Sequence, residues 1–141
     1  MNKTSPSPTA SKPAAPPRWI LVVDDEESMR QLIEIVLRRE GWTVQTAAHA
    51  DDAIDLIKKV SPPPSLIICD VLMPRVDGLE LMRRISGKIK GLEVIFISGH
   101  LSDVSWWPTD LREHRFLAKP FERDQLVSAV SQAMGEPNPV G

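Results

Sequence analysis

The sequence predicts an α/β fold, a five-stranded parallel sheet doubly wound with helices on both faces. Three observations carry this. Short apolar runs alternate with segments of helical period, the connections between them are short, and several runs are apolar without a break, as in strands buried on both faces. Trp19-Ile20-Leu21-Val22-Val23 is the first such run. Met29, Leu32, Ile33, Val36 and Leu37 then fall at helical spacing, and Gly41 supplies the stop. Trp42 to Ala47 is a second short strand. Ala53, Ile54 and Ile57 mark a second helix, closed by Pro62-Pro63-Pro64. Ser65 to Cys69 is a third strand, and Leu79, Met82 and Ile85 mark a helix after the Asp77-Gly78 turn. Val94 to Ile97 and Phe116 to Ala118 are the fourth and fifth strands. Leu126, Val130 and Met134 carry the last helix. Right-handed crossovers join the parallel strands.

Length and composition bound the rest. A chain of 141 residues predicts one domain. Its 17 basic and 19 acidic residues leave a net charge of −2, which gives no global attraction to nucleic acid or to an anionic membrane. A single cysteine, Cys69, excludes a disulfide framework and a cysteine-based zinc site. The apolar runs are too short to cross a bilayer, and the N-terminus lacks the apolar stretch of a secretory signal. A soluble, cytoplasmic protein is expected. Of its 13 prolines, five lie in the first 17 residues, MNKTSPSPTASKPAAPP, a segment too poor in apolar surface to offset its ordering entropy. Residues 1–17 are therefore expected to be a disordered tail or linker, 18–134 the folded domain and 135–141 a short flexible end.

Open parallel sheets bind ligands outside the carboxyl ends of their strands. That rule selects Asp24-Asp25, Asp70, Ser98 and Lys119. Clustered carboxylates repel one another unless a cation compensates them, and an all-oxygen donor set suits Mg²⁺ or Mn²⁺. Lys119 adds a positive point charge, and the Ser98 hydroxyl can hydrogen-bond an oxyanion. A carboxylate, a metal and a lysine together can stabilise a transferring phosphoryl group. Asp70, the only acid closing the third strand, is the candidate nucleophile.

With Val22-Val23-Asp24-Asp25-Glu26, Asp70-Val71-Leu72-Met73-Pro74 followed by Asp77-Gly78, Ser98-Gly99-His100 and Lys119-Pro120-Phe121, the chain resembles the receiver domain of bacterial two-component response regulators. The resemblance spans about Trp19 to Met134, with four motifs in order and in register. It implies a flavodoxin-like sheet of order 2-1-3-4-5. It also implies that Asp70 is phosphorylated by a histidine kinase or a histidine phosphotransfer protein. Asp25, Asp70 and the Leu72 backbone carbonyl would hold Mg²⁺ directly, and Asp24 through water. Lys119 would pair with the phosphoryl oxygens, next to a cis Lys119-Pro120 bond. Ser98 and the aromatic Phe116 would form the switch. Catalysis would stop at the chain's own phosphorylation and slow self-hydrolysis.

No DNA-binding helix-turn-helix follows Met134, so the expected output is contact with a downstream protein target, with no nucleic acid and no membrane insertion. A weak or phosphorylation-dependent dimer is compatible with this. The alternatives are a receiver domain of a hybrid histidine kinase, a phosphate shuttle or sink, and a flavodoxin-like cofactor-binding domain. Asp24-Asp25-Glu26-Glu27 would repel a cofactor phosphate at the end of the first strand. A phosphatase with an aspartyl nucleophile would need a second acid two residues on, where this chain has Leu72.

Other features have plainer readings. Cys69 reads as core. Arg38-Arg39, Lys58-Lys59 and Arg83-Arg84 suit the negative ends of helices, and His100 reads as a solvated loop residue. Leu101 to Glu113 departs from the family's fourth helix: Trp106-Trp107-Pro108 sets two large rings beside a helix breaker, which predicts a short or irregular helix and a reshaped partner surface.

Overall fold

The computed structural model describes residues 18–70, 78–85, 89, 91–99 and 115–135. Leu72, the Asp77 turn position, His100, the Trp106-Trp107-Pro108 segment and both termini lie outside the described residues. The elements run β1 (Trp19–Val23), α1 (Glu27–Arg39), β2 (Thr43–Ala47), α2 (Ala50–Lys59), β3 (Leu66–Asp70), α3 (Gly78–Ile85), β4 (Glu93–Ser98), β5 (Arg115–Ala118) and α4 (Arg123–Met134). The five strands form one parallel sheet in the order β2-β1-β3-β4-β5, as expected.

Alternation of side chains along the buried strands sorts the core into two layers. Leu21, Val23, Ile67, Cys69, Val94 and Phe96 face α2 and α3, where Ala50, Ala53, Leu81 and Ile85 meet them. Ile20, Val22, Leu66, Ile68, Ile95 and Ile97 face α1 and α4 and pack with Ile33, Val36, Leu37, Leu126, Val130 and Met134. Cys69 is fully buried in the first layer. Gly41 has φ 98°, a left-handed conformation that ends α1 at little cost to a residue without Cβ.

Two expectations shift. The second strand begins at Thr43 and the third at Leu66, so Trp42 and Ser65 precede their strands, although Trp42 remains buried in the α1–α4 layer. Leu32, part of the apolar pattern of α1, is 47% exposed, as is Ile35 at 51%. The apolar stripe of α1 is wider than the surface that the sheet and α4 cover.

Arg18 braces the α1–α4 layer at the start of the fold. Its guanidinium donates to the Met134 carbonyl at 2.6 Å and lies 5.4 Å from the Trp42 ring centroid. Among the described residues, no helix is long and apolar enough to cross a membrane.

Candidate functional site

Strand register assembles the site. Val23 pairs with Cys69, Asp70 with Ile97 and Ser98 with Ala118. Asp24, Asp70, Ser98 and Lys119 therefore share one edge of the sheet although they lie far apart in sequence. Asp24 follows β1, Asp70 closes β3, Ser98 closes β4 and Lys119 follows β5.

One donor atom each from Asp24, Asp25 and Asp70 falls within 4.8 Å of the others. Asp24 and Asp70 are buried, at 1% and 8% exposure, while Asp25 is exposed. Lys119 Nζ donates to Asp70 Oδ2 at 3.0 Å and stands 3.6 Å from Asp24 Oδ2. The second distance brings charge attraction without a hydrogen bond. Among the described residues, Asp24 Oδ2 is accordingly a buried oxygen with no hydrogen-bond donor, whereas Oδ1 accepts the Glu26 N–H at 2.9 Å. Burial pushes the Asp24 carboxyl above its ordinary value, and the Asp70 and Asp25 charges add to this; the Glu26 N–H and Lys119 oppose it without cancelling it. Burial alone would lower the Lys119 ammonium, but the hydrogen bond to Asp70 and the charges of Asp24, Asp70 and Glu26 outweigh it and raise its pKa. Lys119 is thus a fixed positive charge, not a proton donor at neutral pH.

These observations fit a hard divalent cation. Three carboxylates meet in a small volume beside the Lys119 ammonium, one with a buried oxygen that lacks a hydrogen-bond donor among the described residues. Asp25 projects from the exposed rim, where a hydrated ion can enter.

Phe116, on β5, is half-buried and stacks on Phe96 with ring centroids 5.5 Å apart and 28° between planes. The Lys119-Pro120 peptide is cis. Of the sequence-selected residues, Asp24, Asp25, Asp70 and Lys119 come together by their side chains. Ser98 is placed by its backbone alone, and Leu72 lies outside the described residues. Two further contributors were not picked out from sequence. The Glu26 N–H closes a turn onto Asp24, a geometry that an aspartate two residues earlier could have suggested. Arg30 Nη1 donates to the Asp24 backbone carbonyl at 2.8 Å and braces the loop, with no comparable local pattern to announce it.

Against known proteins, a family model described as the response regulator receiver domain matches residues 20–131. The transcriptional regulatory protein CssR of Bacillus subtilis is 31% identical over 116 residues, covering 82% of this chain and 50% of that protein. The sensor kinase CckA of Brucella abortus is 30% identical over 117 residues, covering 82% of this chain and 12% of that protein. The chain thus spans half or less of the length of these two relatives. The crystal structure of the receiver domain of NtrX from Brucella abortus superposes with a TM-score of 0.72 at 34% identity, covering 82% of this chain and 97% of that one.

Proposed function

The chain belongs to the response regulator receiver domain family, and from that premise we propose that Asp70 is its phosphoacceptor. The observation that carries this reading is the contact of Lys119 Nζ with Asp70 Oδ2 at 3.0 Å, beside the Asp24 and Asp25 carboxylates. In the proposed reaction an Asp70 carboxylate oxygen attacks the phosphorus of a phosphohistidine on a histidine kinase or a histidine phosphotransfer protein. The new P–O bond forms as the P–N bond breaks, and the electron pair leaves with the imidazole nitrogen.

Each side chain has a separate task. Lys119 holds one Asp70 oxygen, orients the carboxylate and offers a positive charge to the phosphoryl oxygens. Asp25, Asp70 and the Leu72 carbonyl would hold Mg²⁺ or Mn²⁺, with Asp24 acting through water. The bound ion supplies charge neutralisation on the transferring group. Arg30 and the Glu26 N–H keep the Asp24 loop in place. No second acid sits two residues after Asp70 to activate water, so release of phosphate is slow self-hydrolysis and other substrates are not turned over. After phosphorylation the Ser98 hydroxyl turns to the new oxyanion and Phe116 takes up the freed space. A downstream protein in the cytoplasm reads the change. A receiver acting within a hybrid histidine kinase is a second reading, supported by the likeness to CckA.

Intact mass spectrometry after incubation with acetyl phosphate tests the proposal. Gain of one phosphoryl group by the wild type with Mg²⁺ is expected, with none for Asp70→Ala or in EDTA. Absence of the adduct, together with tryptophan fluorescence that ignores beryllofluoride, would overturn it.

A further inference from the structure

Each peptide unit flanking Asp25 is pinned by a separate hydrogen bond. The Asp24 carbonyl, which belongs to the peptide entering Asp25, accepts Arg30 Nη1 at 2.8 Å. The Glu26 N–H, which belongs to the peptide leaving it, donates to Asp24 Oδ1 at 2.9 Å. A peptide unit is planar, so holding one of its polar atoms restrains the whole plane. Two restrained planes leave the φ and ψ of Asp25 little freedom, and the direction of its Cβ follows from them.

The rest of the loop is fixed as well. The Asp24 N–H donates to the Ala47 carbonyl at 3.2 Å, and the Arg30 N–H donates to the Glu26 carbonyl at 3.0 Å as α1 begins. Any residue but proline would make that last bond, whereas only a long side-chain donor reaches back six positions to Asp24. Asp25 itself is exposed, and among the described residues no side chain holds its carboxylate. Its place beside Asp24 and Asp70, with one donor atom of each within 4.8 Å of the others, is therefore set by the backbone.

Charge and geometry give Arg30 opposite effects on a cation. A guanidinium stays protonated and repels a divalent ion. Holding the loop in its binding shape favours the same ion, because the ligand is ordered before the ion arrives. Arg30 is half-buried, so solvent screens its charge, whereas the hydrogen bond at 2.8 Å acts at contact. Geometry is the larger effect.

We propose that Arg30 is a positioning residue for the metal site, pinning the Asp24–Asp25 peptide so that the Asp25 carboxylate is preset for the ion. The inference rests on the divalent-cation reading of the pocket, and it asks of Arg30 no contact with the ion or the phosphoryl group.

Mn²⁺ binding by the full chain, read from the EPR signal of the free ion, separates the two effects because they predict opposite signs. Arg30→Met keeps the apolar stem and removes both charge and donor. It is expected to bind Mn²⁺ about tenfold more weakly than the wild type, the loss typical of removing an outer-shell partner. Arg30→Gln, two bonds shorter, should show the same loss and keeps the test valid if Arg30→Met unfolds. Arg30→Lys restores a long donor and should recover most of the affinity. Arg39→Met takes an exposed cation from the same helix without touching the loop, and should bind as the wild type does. The Mg²⁺ concentration that half-saturates phosphorylation by acetyl phosphate should rise by the same factor in Arg30→Met, with the rate at saturating Mg²⁺ unchanged. Equal or tighter Mn²⁺ binding by Arg30→Met or Arg30→Gln would overturn the proposal. So would a loss shared by Arg39→Met or not relieved by Arg30→Lys. A wild type that binds no Mn²⁺ would overturn the metal-site reading together with the proposal. Mn²⁺ binding without an acetyl phosphate adduct would refute the phosphoacceptor role of Asp70 alone, with Arg30 still decided by the EPR comparison.

Discussion

The Asp24 carboxylate is 1% exposed, with one oxygen held by the Glu26 N–H and the other lacking a donor among the described residues. Its raised pKa means that the folded protein keeps this proton at pH values where the unfolded chain has lost it. In EDTA, its contribution to stability therefore grows as pH falls through the folded pKa and levels off below the ordinary value of 3.8. Asp24→Asn should remove that dependence and stabilise the metal-free protein at neutral pH by about 1 kcal/mol, as read from urea denaturation. Lys119 has the same sign. Its pKa is also raised, so its stabilisation is complete below the ordinary 10.5 and is lost as pH rises through the folded value. Lys119→Met should flatten that alkaline limb of the stability profile.

Helix α1 separates buried apolar positions from exposed ones of similar chemistry. Leu37 is fully buried and Leu32 is 47% exposed. Leu37→Ala should cost about 2–5 kcal/mol in urea unfolding, whereas Leu32→Ala should stay within about 0.5 kcal/mol. The 3.6-residue pattern places both on apolar positions, but which margin is covered depends on how far α4 extends over the helix, and local period does not contain that. The strands were more legible. An unbroken apolar run such as Trp19–Val23 has little alternative to a doubly buried strand, and the polar residue after it must then emerge at the sheet edge. Asp24 and Lys119 were found by that rule, as was Asp70 at the close of its own run. Arg30 was not, because its guanidinium reaches the Asp24 carbonyl from the first turns of α1, along a direction that only the folded backbone fixes.

At the level of the molecule, the two packed layers hold a sheet whose carboxyl edge gathers three carboxylates beside the Lys119 ammonium. A ligand that binds only the folded state stabilises it by mass action. Mg²⁺ at about 100 times its Kd should add about 2.7 kcal/mol to unfolding free energy, seen as a rise in Tm. Asp25→Ala should abolish this rise with little effect on the metal-free Tm, because Asp25 is exposed and fills no part of the core. The Lys119–Asp70 contact joins groups 49 positions apart, and this has a temporal consequence during synthesis. At about 5–20 residues per second, roughly 2–10 s separate translation of the aspartate from that of the lysine that holds it. A nascent chain on the ribosome thus has the Asp70 carboxylate before it has the cation that holds it. On the proposed function, competence to receive a phosphoryl group arrives only when Lys119, just after the fifth strand, has left the exit tunnel and docked.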